Sequence, residues 1–121
     1  VATVLVADDS VLYLRLAERI LSAAGYRVLL AQTGQEALQR ARAERPDVVL
    51  CDVLMPDGDG ISTLRELKGD PALRDVPVYL LTGTEDQERF DAARAAGAAG
   101  ILAKPFAPET VLATVSRHVG A

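Results

Sequence analysis

The chain has 121 residues, half of them hydrophobic and a quarter charged, which is the length of one domain and is neither disordered nor collagen-like in composition. Acids outnumber bases 17 to 13 for a net charge of -4, against the basic balance of a non-specific nucleic-acid binder. One cysteine excludes an intramolecular disulfide framework, no apolar run approaches the ~20 residues of a membrane helix, and no signal-peptide pattern opens at Val1.

The first apolar run, Thr3 to Ala7 (TVLVA), predicts a strand that ends in Asp8, Asp9 and Ser10. Ser10 is placed to cap a helix with Leu12, Leu16 and Ile20 on one face, stopped by Gly25. A second strand follows at Arg27 to Ala31. The next helix follows Thr33, carries Ala37, Leu38 and Ala41, and ends before Pro46. A third strand, Asp47 to Cys51 (DVVLC), runs into Asp52 and Val53. The third helix begins near Gly60, with Ile61, Leu64 and Leu67 inward. A fourth strand spans Val76 to Leu81 and ends in Thr82 and Gly83. Its helix runs from about Glu85 to Ala96, with Phe90 and Ala93 inward and Gly97 as its stop. The fifth strand, Gly100 to Ala103, ends in Lys104 and Pro105. The last helix starts at Pro108, a residue suited to a first helical turn, with Val111, Leu112, Val115 and Val119 inward.

The first, third and fourth strands are almost wholly apolar, as parallel strands covered on both faces are. Five strand-helix units in series predict an α/β fold: a five-stranded parallel sheet with right-handed crossovers and helices on both faces. The units share no repeated motif, so a doubly wound sheet is preferred to a repeat protein. No linker or charge block divides the chain, and residues 1–121 are expected to form a single domain.

In such sheets a ligand site lies beyond the carboxyl ends of the strands. Those ends carry Asp8, Asp9, Asp52, Thr82 and Lys104. Taken singly, each has an ordinary reading. Either of the first two aspartates could be a helix cap, Asp52 a turn residue, Thr82 a strand end and Lys104 a solvated surface group. Together, at four strand ends facing one way, they are not ordinary. Two carboxylates ~5 Å apart at an effective dielectric of about 20 repel by roughly 3 kcal/mol. Three must raise one another's pKa values or recruit a cation. Hard oxygen donors in a small open cluster suit Mg2+, with Mn2+ as a substitute, better than Zn2+ or a Ca2+ cage. A divalent cation beside an aspartate, a lysine and a hydroxyl is an arrangement for phosphoryl transfer to carboxylate.

Four motifs carry a resemblance: VLVADDS (4–10), VVLCDVLMPDGDG (48–60), VYLLTG (78–83) and GILAKPF (100–106). In this order and at these strand ends they resemble the receiver domain of two-component response regulators, over essentially the whole chain. The resemblance implies a flavodoxin-like (βα)5 sheet with strand order 2-1-3-4-5. It implies Asp52 as phosphoacceptor and Asp9 as a direct Mg2+ ligand, with Asp8 acting mainly through water. The Leu54 backbone carbonyl would complete the metal site. Thr82 would bind the transferred phosphoryl group, and Lys104 would pair with a phosphoryl oxygen and, at rest, with Asp52. It implies a cis peptide before Pro105. The donor would be a phosphohistidine on a sensor histidine kinase or phosphotransfer protein. The domain would be no enzyme beyond its own phosphorylation and slow dephosphorylation.

Two departures from the family pattern matter. Members often carry Tyr or Phe three residues before the lysine. Here Ile101 stands there, so Thr82 and the loop after it are expected to switch with a smaller change at Ile101. Leu54 and Thr84 stand where fast-hydrolysing relatives place acids or amides, so a longer-lived phosphorylated state is expected. The face formed by the fourth helix, fifth strand and fifth helix is where the resemblance puts partner binding, an output domain or a homodimer. It would include Gln87, Arg89, Arg94, Ile101 and residues near Arg117. Neither nucleic acid nor membrane is expected as a direct partner, and the expected location is the cytoplasm.

Other motifs are set aside. Asp57-Gly58-Asp59-Gly60 looks like a phosphatase DxD, but Met55 and Pro56 separate it from the strand, and a Gly-rich turn is the better reading. It also lacks the spacing and closing Glu of an EF-hand. No Gly-rich nucleotide loop is present. Cys51 is expected to be a buried packing residue, and His118 a solvated helical residue.

Overall fold

The computed structural model describes residues 2–55, 58–83, 87–104 and 107–119. Five strands, β1 (Thr3–Ala7), β2 (Arg27–Ala31), β3 (Val48–Asp52), β4 (Val78–Thr82) and β5 (Gly100–Ala103), form one sheet. All neighbours are parallel and the order is β2-β1-β3-β4-β5. The helices are α1 (Val11–Ala23), α2 (Gly34–Glu44), α3 (Gly60–Gly69), α4 (Gln87–Ala95) and α5 (Pro108–Val119). β3 and β4 start one and two residues later than the apolar pattern predicts, and each takes in the polar residue at its end, Asp52 and Thr82.

Side chains alternate across the sheet, and the alternation sorts the core into two layers. Leu5, Ala7, Val49, Cys51, Val78 and Leu80 face α2, α3 and α4. Val4, Val6, Val48, Leu50, Tyr79 and Leu81 face α1 and α5. β3 and β4 are buried along their whole length, which explains their unbroken apolar runs. The edge strands β2 and β5 are partly exposed.

Helix ends follow local chemistry. The Ser10 hydroxyl accepts from the Tyr13 amide at the start of α1, and Thr33 caps α2 through the Glu36 amide at 3.1 Å. After α1 the chain turns at Gly25, φ +93°, while the Tyr26 amide donates back to the Leu21 carbonyl at 3.1 Å. After α4 it turns at Gly97, φ +102°. α4 starts at Gln87, and the expected start at Glu85 lies outside the described residues. Ala93 is buried as expected and Phe90 half-buried.

α1 corrects the expected helix face. Leu14, Ala17 and Leu21 are buried, whereas Leu12 is 75% and Leu16 39% exposed; Ile20 is partly buried at the margin. Both sets have helical spacing, because α1 is apolar around much of its circumference. Docking against the sheet selects the second set, which joins Val4, Val6 and Leu50 in one core layer.

A two-residue antiparallel ladder, Leu54–Met55 with Gly58–Asp59, follows β3 and was not expected. It leads the chain from Asp52 into α3, with Gly58 and Asp59 in the ladder and Gly60 at the start of the helix. Pro56 and Asp57 lie outside the described residues.

Candidate functional site

The parallel register puts the strand ends side by side. Ala7 pairs with Cys51, Asp52 with Leu81 and Thr82 with Ala103. Asp8 and Asp9 leave β1, Asp52 ends β3, Thr82 ends β4 and Lys104 follows β5. Asp8, Asp9 and Asp52 each offer a carboxylate oxygen, and these atoms lie within 4.8 Å of one another. Asp8 and Asp52 are buried, and Asp9 is exposed at the mouth. Asp8 is fixed at both ends: its amide donates to the Ala31 carbonyl at 3.0 Å, and its Oδ1 accepts from the Ser10 amide at 2.9 Å.

Lys104 joins this group. Its Nζ lies 2.6 Å from Asp8 Oδ2 and 3.2 Å from Asp52 Oδ2, with the side chain only 12% exposed. Its amide donates to the Thr82 carbonyl at 2.8 Å, which ties the lysine's backbone to the end of β4. Burial penalises the ammonium. The close contacts with Asp8 and Asp52 and the attraction of both carboxylates outweigh that penalty, so the Lys104 pKa is raised above 10.5. Thr82 is buried at the end of its strand.

The group is short of positive charge. Three formal carboxylates and one ammonium leave two negative charges. Asp8 Oδ2 is buried, and its contact with Lys104 is an ion pair; among the described residues no donor meets it in hydrogen-bond geometry. A hard dication would fit both features, and oxygen donors of this kind suit Mg2+ or Mn2+.

The other expected residues fall as follows. Ile101 lies on β5 opposite Leu80 and packs, half-buried, against the core layer facing α3 and α4. The Leu54 backbone lies in the ladder two residues beyond Asp52. The Leu54 side chain, Thr84, Pro105 with its expected cis peptide, and the side chains of Gln87 and Arg89 lie outside the described residues. Arg94 and Arg117 are exposed. Cys51 is buried as expected. His118, expected to be solvated, is exposed but anchored: its Nε2 meets the Tyr79 hydroxyl at 2.5 Å.

Two residues at the site were not anticipated. The Tyr13 ring lies under Lys104, with Nζ 4.3 Å from the ring centroid. Its signal in the sequence is its place in the first turn of α1, because helical side chains lean toward the N-terminus and here toward the strand ends. Gly60 is the second. A Cβ there would come within 2.2 Å of the Asp52 carbonyl oxygen, and its amide donates to the Val53 carbonyl at 2.6 Å. Glycine lets α3 begin directly against the backbone that carries Asp52.

A doubly wound parallel sheet holding a lysine-paired acidic cluster at its carboxyl edge defines a class of α/β switch-point sites. Within that class, the profile of the response regulator receiver domain matches residues 4–116, and the chain belongs to this family. It is 39% identical over 105 residues to response regulator PleD of Caulobacter vibrioides, covering 87% of this chain and 23% of that protein. It is 31% identical over 121 residues to the polar-differentiation response regulator DivK of Brucella anthropi, covering 98% of this chain and 96% of DivK. The chain thus spans about a quarter of one relative and nearly all of another. Among solved structures, chemotaxis response regulator CheY4 of Vibrio cholerae superposes with a TM-score of 0.90 at 37% identity, covering 96% of this chain and 97% of that one. The receiver domain of sensor histidine kinase PA1611 from Pseudomonas aeruginosa gives a TM-score of 0.90 at 31% identity, covering 99% and 98%. That structure has a magnesium ion coordinated in its active-site cleft. The chain is therefore a receiver domain of two-component signalling, with the sheet order expected from its sequence.

Proposed function

We propose that residues 1–121 act as one phosphoacceptor domain in which Asp52 accepts a phosphoryl group from a phosphohistidine of a sensor histidine kinase or phosphotransfer protein. The observation that carries this reading is the ion pairing of one ammonium, Lys104, with both Asp8 and Asp52 beside the exposed Asp9. An Asp52 carboxylate oxygen attacks phosphorus, the P–N bond breaks with its electron pair left on the imidazole, and an acyl phosphate forms.

Asp9 and Asp52, the Leu54 carbonyl, and Asp8 through water would hold Mg2+ or Mn2+. When bound, the metal supplies charge neutralisation at the phosphoryl oxygens. Lys104 holds the carboxylates at rest and pairs with a phosphoryl oxygen afterwards. The Thr82 hydroxyl turns to the new group, and the loop after it shifts. Ile101 already packs against the core, and a branched aliphatic has no ring to swing, so its own movement is small. The output surface is the face of α4, β5 and α5, where an output domain or a second copy would dock. The domain works in the cytoplasm, releases its phosphoryl group slowly, and turns over no substrate.

Incubation with acetyl phosphate and Mg2+, followed by intact mass measurement, tests the reading. The expected result is one phosphoryl group per chain, none on Asp52→Asn, and none with a chelator present. Continuous phosphate release would identify a hydrolase instead. Amide spectra with and without phosphorylation test the switch: changes at Ile101 as large as those at Thr82 would overturn the small-movement reading.

A further inference from the structure

We propose that Tyr13 is a positioning residue for Lys104, its ring holding the ammonium between Asp8 and Asp52. The proposal rests on the phosphoacceptor reading above for its functional consequence, but not for its geometry.

Lys104 reaches the pocket from β5, on a long side chain with several free torsions. Its Nζ has carboxylate partners on one side, at 2.6 Å and 3.2 Å. On another side it has the Tyr13 ring, 4.3 Å to the centroid. Salt bridges alone let a lysine pivot, because an ammonium is a point charge with no preferred plane. A ring face gives the ammonium a further seat. That contact is strongest where water is excluded, and this side chain is only 12% exposed. Tyr13 itself is half-buried, with its ring packed on the core layer beneath α1. The seat is therefore placed by α1 and the core layer it covers.

Two effects of opposite sign follow. A seated ammonium is already aimed at the place where a phosphoryl oxygen will arrive, which favours transfer. The same ammonium neutralises Asp8 and Asp52, so it competes electrostatically with a dication for those oxygens. Loosening Lys104 should therefore strengthen Mg2+ binding while slowing phosphorylation. Damage to the pocket would weaken both, so the opposite signs separate positioning from mere support.

The chain has only two lysines, Lys68 and Lys104, which makes a direct test practicable. The ε-methylene signals of both are recorded by NMR in the native chain, Tyr13→Phe and Tyr13→Leu. The Lys104 signal should be displaced upfield by the ring in the first two and return to the ordinary position in the third. Mg2+ alone is titrated by calorimetry, and phosphorylation by acetyl phosphate is timed. Tyr13→Leu should bind Mg2+ about threefold to tenfold more tightly and be phosphorylated more slowly by a similar factor. Tyr13→Phe, which keeps the ring, should restore both toward the native values.

An undisplaced Lys104 signal in the native chain overturns the proposal. So does a Tyr13→Leu variant with native constants, one in which both constants fall together, or a failure of Tyr13→Phe to restore them. Tyr13→Met serves if the leucine variant does not fold. A native chain that shows the displaced signal but neither binds Mg2+ nor accepts a phosphoryl group would sink the phosphoacceptor reading and leave the Tyr13–Lys104 contact standing.

Discussion

Asp52 owes its position to backbone as much as to side chains. It ends a fully buried strand, its carbonyl oxygen accepts from the Cys51 thiol at 3.5 Å, and Gly60 closes over the same oxygen. A methyl group at residue 60 would sit 2.2 Å from that oxygen, well inside any allowed contact, so the Asp52–Val53 backbone or the start of α3 must move. Overpacking of this kind costs about 1–3 kcal/mol. Gly60→Ala is therefore expected to lower the unfolding free energy, read from urea denaturation, by an amount in that range and to slow acetyl phosphate labelling. Gly69→Ala is the control, because a Cβ there meets nothing within 4 Å. It should leave stability within about 0.5 kcal/mol of the native chain or raise it slightly. Equal losses in the two variants would show that the close approach at Gly60 is not what sets its cost.

At the scale of elements, α1 tests how a helix chooses its buried stripe. Leu14 is 4% exposed within the layer shared with α5, whereas Leu12 is 75% exposed. Leu14→Ala is expected to cost about 2–5 kcal/mol in denaturant unfolding, the range for a truncated core leucine. Leu12→Ala is expected to change stability by less than about 0.5 kcal/mol. Comparable losses would mean that the helix is rotated from the position described. The same helix shows what can be read from a sequence. The strands were legible because parallel strands buried on both faces leave short unbroken apolar runs, and the pocket was legible because such strands end on one edge. The choice between Leu12-Leu16-Ile20 and Leu14-Ala17-Leu21 was not legible, because both satisfy helical spacing and only the docked sheet separates them. Tyr13 under Lys104 and Tyr79 against His118 were hidden for a related reason. Each joins residues far apart in the chain, and the motifs that hold Lys104 and Tyr79 do not specify which side chain packs against them.

Across the whole molecule, positive charge is divided by residue type. The two lysines are both drawn inward, while Arg27, Arg42, Arg94 and Arg117 are among the arginines left on the surface. Lys68 donates to the carbonyls of Arg74 at 3.0 Å and Val76 at 2.9 Å, joining α3 to the chain entering β4. Burial lowers its pKa, partly offset by Asp75. The Lys104 pKa is raised, because its carboxylate partners outweigh burial. The two shifts predict opposite slopes at alkaline pH. For Lys68 the unfolded chain holds its proton to higher pH than the folded chain. Stability linked to it therefore rises as pH climbs from the lowered folded value to 10.5. For Lys104 the folded chain holds the proton longer. Its contribution is fully present below the unfolded value of 10.5 and is lost as pH rises through the raised folded value. Urea unfolding of the native chain, Lys68→Met and Lys104→Met across this range separates the two. The stability difference between the native chain and Lys104→Met should stay level up to about pH 10 and fall beyond it. The difference for Lys68→Met should move in the native chain's favour over the interval below 10.5. A Lys104 difference that declines already between neutrality and pH 9 would show that the carboxylates do not hold its proton, and would undo the electrostatic description of the pocket.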